Sequence, residues 1–184
     1  MSIGLIRGTV ALELHCPEWE ASAEQTIELL KRLISDTAMD IQHIGSTAIR
    51  GISAKPIIDI AVGVARLGDI LKMNDILAEN GFIFRGQDLP DQYLYVCGWN
   101  DFRTHHIHVL KYGSAPWNNY LDIRDYLNCH EADAQAYSDL KESLARQYPE
   151  DRLTYTQMKS EFISAILRKA KDWRAQTASD NTEC

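Results

Sequence analysis

Two groups of residues in this chain have the chemistry to hold a phosphate or a metal ion. The first lies in HIGSTAIRGISAKPIID, residues 43–59, where Gly45-Ser46 is followed, after twelve residues, by Asp59. Glycine permits backbone angles and a close approach that a side chain would block. Ser46 adds a hydroxyl beside backbone N–H groups, and a helix beginning there would turn those amides toward an anion. A plain strand-to-helix turn calls for the same two residues. Asp59 is the one charge in a run that is apolar from Ile57 to Val64. A carboxylate in a buried strand is costly unless it is paired, hydrogen-bonded or metal-bound. Pairing with Lys55 or an arginine, or capping a neighbouring helix, would satisfy it without any catalytic role.

The second group is RTHHIHVL, which carries His105, His106 and His108. Alternation on a strand sends His106 and His108 to one face. Two imidazoles so spaced can share a metal, or a phosphate when protonated. Asp59 or His43 is the expected third ligand, since His43 precedes Gly45 by two residues and would lie at the same sheet edge. Hydrogen-bonded histidines on a half-exposed strand would give the same pattern. Lys55-Pro56 fixes the approach to the Asp59 strand, and the lysine can reach a phosphate or water. His15 and His130 receive no role.

The elements that must position these groups follow from hydrophobic period. Val10–Leu14 alternates like a strand. Trp19, Ala23, Ile27, Leu30 and Ile34 recur at helical spacing after Pro17, predicting a helix to about Ser35. Asp40–Ile44 and Pro56–Val64 read as strands, the second buried, with Asp59 and Ala61 on one face and Ile58, Ile60 and Val62 on the other. Leu67–Asn80 reads as a helix stopped by Gly81. Phe82–Arg85, Tyr93–Val96 and His105–Leu110 are strands separated by QDLPD and GWNDFR. Trp117–Asn128, Glu131–Tyr148 and Thr154–Arg174 are helices, and the polar residues from Gln176 to Cys184 form a loose tail. The layout is one domain over 1–174, an α/β half (1–112) followed by a helical half (113–174), with 175–184 as tail.

Composition narrows the classes. The chain has 184 residues, 45% hydrophobic and 24% charged, enough for a core and too apolar for disorder. A net charge of −7 argues against a protein that coats nucleic acid or an anionic membrane, while leaving room for a small basic pocket. No apolar run reaches the ~18 residues of a membrane span. The N-terminus does not read as a signal peptide. Cys16, Cys97, Cys129 and Cys184 are scattered with no CxxC pair, so free thiols in a cytoplasmic protein are expected.

Gly-Ser, twelve residues, then Asp-Ile-Ala-Val resembles the signature of the nucleotidyltransferase fold. There the Gly-Ser turn holds nucleotide phosphates, and two acids spaced D-h-D bind divalent metals for in-line displacement at phosphorus. Ala61 stands here in place of the second acid. More specifically, HIGSTAIRGISAKPIIDIAV, CPEWEASAEQTIELL, THHIHVL, IRDYLNCHEADAQAYSDLKESLA and YTQMKSEFISAILRKAKDW together resemble the GrpB family over roughly residues 10–173, with Arg50 and Ile52 where Pro and Leu are usual. That resemblance implies a nucleotidyltransferase-like mixed sheet with a helical C-terminal half. GrpB-like domains also occur fused to dephospho-CoA kinase. By position the implied site is Gly45, Ser46, Lys55, Asp59, His106 and His108, and Arg124, Asp125, Tyr155 and Lys159 match further family positions. Arg124 and Asp125 are expected as a helix-to-sheet ion pair. Tyr155 and Lys159, four apart on one helix face, would brace the fold or meet a nucleotide.

The expected function is a protein that binds a nucleoside triphosphate through Gly45, Ser46 and Lys55. Asp59, His106, His108 and His43 would hold a divalent metal (Mn, Mg or Zn). A nucleotidyl group would then pass to an acceptor, with Asp59 and Ser46 at the reacting centre. The alternatives are a non-catalytic nucleotide- or coenzyme A-related module and a single-metal phosphate hydrolase. The expected partner is a nucleotide or another phosphorylated small molecule, without nucleic acid or membrane.

Overall fold

The computed structural model describes residues 3–180. The architecture is mixed α/β, as the sequence implies: a six-stranded mixed sheet followed by a helical C-terminal half. The strands are β1 (Leu5–Ile6), β2 (Ala38–Ile44), β3 (Ile58–Val64), β4 (Ile83–Leu89), β5 (Gln92–Trp99) and β6 (Phe102–Lys111). Their order is β2-β3-β6-β5-β4, with β1 pairing the start of β6. Among the described residues only β3 and β6 run parallel, and this pairing sets Asp59 beside His106 and Ala61 beside His108.

Helix α1 (Pro17–Ile34) opens with proline, which lacks a donor the first turn could not use. Its buried face, Trp19, Ala23, Leu30 and Ile34, packs on Ile58, Ile60, Val62 and Val64 of β3. The other sheet face is covered by α3 (Ala115–Cys129), whose Trp117 joins Ile44, Ala61 and Leu110 in a smaller cluster. Helices α4 (Glu131–Gln147), α5 (Arg152–Met158) and α6 (Ser160–Asp180) complete the helical half. Trp19 and Trp117 are core residues, and Trp173 is half-buried against Tyr126 and His130.

Several elements differ from expectation. Val10–Leu14 is not a strand, and its one bridge is Glu13 to Ala54. Val10 instead packs with Leu144 and Tyr155 while its N–H donates to Pro149, so the segment is drawn toward the helical half. The 67–80 helix is a 3-10 turn over Leu67–Met73 continued by α2 (Asn74–Glu79). QDLPD is largely strand, because β4 runs to Leu89 and the reversal tightens at Pro90-Asp91, where Asp91 takes φ 59°. The last helix breaks at Lys159, where Ser160 Oγ donates to the Gln157 carbonyl and competes with the helix ladder. Its second segment continues to Asp180, so the start of the supposed loose tail is helical. Cys16 and Cys97 are free thiols, as expected, and Cys184 lies outside the described residues. No described helix is long and apolar enough to cross a membrane.

Candidate functional site

The site is a cleft of ≈ 320 Å³ between the sheet and the helical half. Gly45, Ser46, Lys55, Asp59, His106 and His108 all line it, as do Tyr120, Lys141, Arg152, Tyr155 and Lys159.

Asp59 sits on the sheet wall. Its Oδ1 accepts from His106 Nδ1 at 3.1 Å and His108 Nε2 at 3.3 Å. Burial alone would raise its carboxyl pKa, but the hydrogen bonds and charge of the two imidazoles reverse that and hold it below the ordinary range. One ligand atom from each of Asp59, His106 and His108 lies within 4.8 Å of the others. A carboxylate with two imidazoles is a donor set suited to Mn²⁺, Zn²⁺ or Fe²⁺, so these residues fit a divalent cation. Behind His108, the Gln92 side chain contacts His108 Nδ1 at 3.2 Å, accepts from Tyr120 Oη at 3.0 Å and donates to Asp88. Those contacts fix the ring's orientation.

The glycine of the Gly-Ser turn has a steric reason. Gly45 has φ 72° and ψ −170°, and a Cβ there would come within 2.6 Å of Asp59 Oδ2. The backbone therefore closes directly over the carboxylate. The helix expected to start at Ser46 is a single 3-10 turn, Ser46–Ala48, too short to supply an aligned dipole. Ser46 Oγ donates to Tyr137 Oη at 3.3 Å.

His43 does not join the group. It pairs with Ile60 on β3, so the pleat turns it to the α1 face. There its Nε2 meets Thr47 Oγ1 at 2.9 Å, and burial pushes its pKa down to about 4. His105 faces the same way, with Nε2 3.2 Å from both Ser22 Oγ and Thr26 Oγ1. Nor is Arg124–Asp125 a helix-to-sheet ion pair. Both residues lie on α3, where Arg124 Nε contacts Asp125 at 2.8 Å; it is Arg124 Nη1 that crosses to β2, donating to Gln42 Oε1 and the His43 carbonyl.

The helical wall supplies what sequence reasoning missed. Lys141 of α4 and Arg152 of α5 face the cleft beside Lys55 and Lys159. Lys159 Nζ lies 4.4 Å and Lys55 Nζ 5.4 Å from the Tyr155 ring centroid. Burial pushes Lys55 down to about 8, with the Arg152 charge adding to it. Burial likewise takes Lys159 to about 8, reinforced by Lys55. Lys141 falls to about 7 through burial and then the charge of Lys159, while its Nζ donates to the Ser53 carbonyl. The signal in the sequence was weak: Lys141 falls on the buried face of an amphipathic helix, alongside Ala134, Tyr137, Ser138 and Leu144.

The fold and the cleft define an α/β protein with a carboxylate–imidazole group on one wall and a row of cations on the other. The chain belongs to the GrpB family, whose model, described as GrpB protein, matches residues 9–169. The "Glutamate-rich protein GrpB" of Alkalihalophilus pseudofirmus is 37% identical over 172 residues, 91% of this chain and 99% of that protein. The crystal structure of the conserved protein GrpB from Enterococcus faecalis superposes with TM-score 0.82 at 29% identity, covering 89% of this chain and 99% of that one. A dephospho-CoA kinase of Mycolicibacterium paratuberculosis is 32% identical over 81 residues, 42% of this chain and 20% of the kinase. Cid1, solved in complex with a UTP analog, aligns over 70% of this chain and 40% of its own at TM-score 0.47 and 16% identity, too distant to argue chemistry from.

Proposed function

We propose that the cleft binds a nucleoside triphosphate together with a divalent cation and transfers its nucleotidyl group to an acceptor. The observation that carries this reading is the opposition of two walls: Asp59, His106 and His108 on the sheet, and Lys55, Lys141, Arg152 and Lys159 facing them. Asp59, His106 and His108 would hold the cation, which when bound supplies charge neutralisation at the reacting phosphate. The lysines and Arg152 orient the phosphate chain by charge-assisted hydrogen bonds. Gly45 lets the turn close onto Asp59, where any side chain would collide with the carboxylate. In the transfer, a nucleophilic oxygen of the acceptor bonds to the α-phosphorus while the bond to the bridging oxygen breaks. Pyrophosphate leaves with its charge held by the cationic wall, and the acceptor's proton passes to water.

A second reading, a non-catalytic module for nucleotides or coenzyme A-related molecules, is favoured by Ala61. This position is fully buried against Ile44, Leu110 and Trp117, so no second carboxylate stands two residues beyond Asp59. The partial match to a dephospho-CoA kinase fits the same reading.

Calorimetric titration of ATP with Mn²⁺ and with EDTA, beside Asp59→Asn, tests both. The transferase reading expects tight binding that needs Mn²⁺ and Asp59, and release of pyrophosphate when acceptors are screened. Binding indifferent to both would leave the module reading, and no heat under any condition would remove ATP.

A further inference from the structure

We infer that the helical wall is a subsite for a polyphosphate chain that works without metal, built from Lys55, Lys141, Arg152 and Lys159; this rests on the phosphate-binding reading of the same cleft.

The argument begins with charge. The whole chain carries −7, yet four cations and a single carboxylate, Asp59, line this cleft. Elsewhere Lys31, Lys72 and Lys169 each meet a carboxylate, with Glu28, Asp69 and Asp133 as partners. Among the described residues none of the four cleft cations has a carboxylate within 4.0 Å. Asp59 offsets Lys55 and Lys159, and Glu142 offsets Lys141, only at a distance, and Asp59 Oδ1 is already shared by two imidazoles.

The three lysines are also withdrawn from water at a cost, Lys141 fully and Lys55 and Lys159 in part. Lys141 is 1% exposed, and the Tyr155 ring between Lys55 and Lys159 is 1% exposed. The ring faces and the Ser53 carbonyl hold the ammonium groups in position without neutralising them. Burial first, and repulsion between like charges second, lower the pKa values of the three lysines. The missing partner is an anion with several charges along its length. A single phosphate monoester carries roughly two negative charges, which leaves this wall positive, whereas linked phosphates reach several cations at once. Arg152 adds a planar fork that pairs with two phosphate oxygens. The wall thus recognises the phosphate chain, and the rest of the ligand is read elsewhere.

The test is calorimetry in EDTA with sodium tripolyphosphate, pyrophosphate and orthophosphate, on the wild type, Arg152→Gln, Lys159→Gln, Asp59→Asn and the surface control Lys171→Gln. Arg152 is exposed and Lys159 lies at a helix end, so both variants keep the fold, which circular dichroism checks. Tripolyphosphate is expected to bind in EDTA, with orthophosphate weaker by about tenfold or more, and Arg152→Gln and Lys159→Gln each weakening it about tenfold. Lys171→Gln should leave it within about twofold. Asp59→Asn should bind it at least as tightly, since it removes the one carboxylate that lines the cleft. Heat that appears only with Mn²⁺, or an equal loss in Lys171→Gln, would overturn the inference. Tripolyphosphate bound in EDTA by a protein that fails to take up Mn²⁺ would instead refute the metal reading and leave this one standing.

Discussion

The two faces of the sheet carry the same residue type to different ends. His43 and His105 face α1, where each finds a hydroxyl: Thr47 for one, Ser22, Thr26 and Thr104 for the other. Hydroxyls donate and accept, so they satisfy a neutral ring, and burial keeps both rings neutral by lowering their pKa to about 4. His106 and His108 face the cleft and share one carboxylate oxygen of Asp59. His105 and His106 are consecutive, so only the pleat separates a structural histidine from one beside the candidate site. What a histidine can do here depends on the face it lands on, since neighbours that settle its hydrogen bonds leave it nothing to bind.

The sharpest way to break that comparison is to move an acid into the cleft's closed side. Ala61→Asp would restore the spacing of a paired-acid strand, but Ala61 is fully buried beside Trp117. The expected result is a loss of roughly 3 kcal/mol or more in urea unfolding, with no gain in metal affinity. Gly45→Ala comes next. Its Cβ would collide with Asp59, and φ is positive, so a loss of about 3 kcal/mol is expected. Gly51 also has positive φ but open space around it, so Gly51→Ala should cost about 1 kcal/mol, and the difference isolates the contact with Asp59.

Much of this arrangement was legible beforehand. Alternation put Asp59 and Ala61 together, and His106 with His108, because a strand's period of two needs no tertiary information. The same rule, applied to register, would have excluded His43, but the register of β2 against β3 is set by the intervening turn and cannot be counted from sequence. The steric role of Gly45 was invisible for the same reason, since it depends on which residue the turn folds over. The cationic wall was the larger omission. Lys141 and Arg152 are separated from Asp59 by about half the chain and come from different helices, and the packing of α4 and α5 against Val10 and the segment of Ile49, Ile52 and Ser53 brings them to the cleft. Val10–Leu14 misled because a β-like alternation fits equally an extended segment that packs without pairing.

Two smaller effects sharpen the account. Arg124→Gln removes the bonds from α3 to Gln42 and the His43 carbonyl, and should cost about 1–2 kcal/mol in unfolding while leaving Mn²⁺ binding unchanged. The smallest is a pH effect. Lys55 and Lys159 titrate near 8 and Lys141 near 7 in the free protein, first through burial, with Arg152 and Lys55 adding to it on one side and Asp59 and Glu142 opposing it. A bound polyanion raises these values. Affinity for tripolyphosphate should therefore be full below about pH 7 and fall as pH rises through 7–9, with binding taking up protons in that window. Calorimetry in two buffers of different ionisation enthalpy reads that uptake directly.

The most direct test of the central claim is a Mn²⁺ titration, followed by electron paramagnetic resonance, of four single variants: His106→Gln, His108→Gln, His43→Gln and His105→Gln. The account predicts that the two cleft-face variants lose affinity about tenfold or more and the two α1-face variants stay within about twofold of the wild type. Equal affinity in all four, or a larger loss from the α1-face pair, would contradict it.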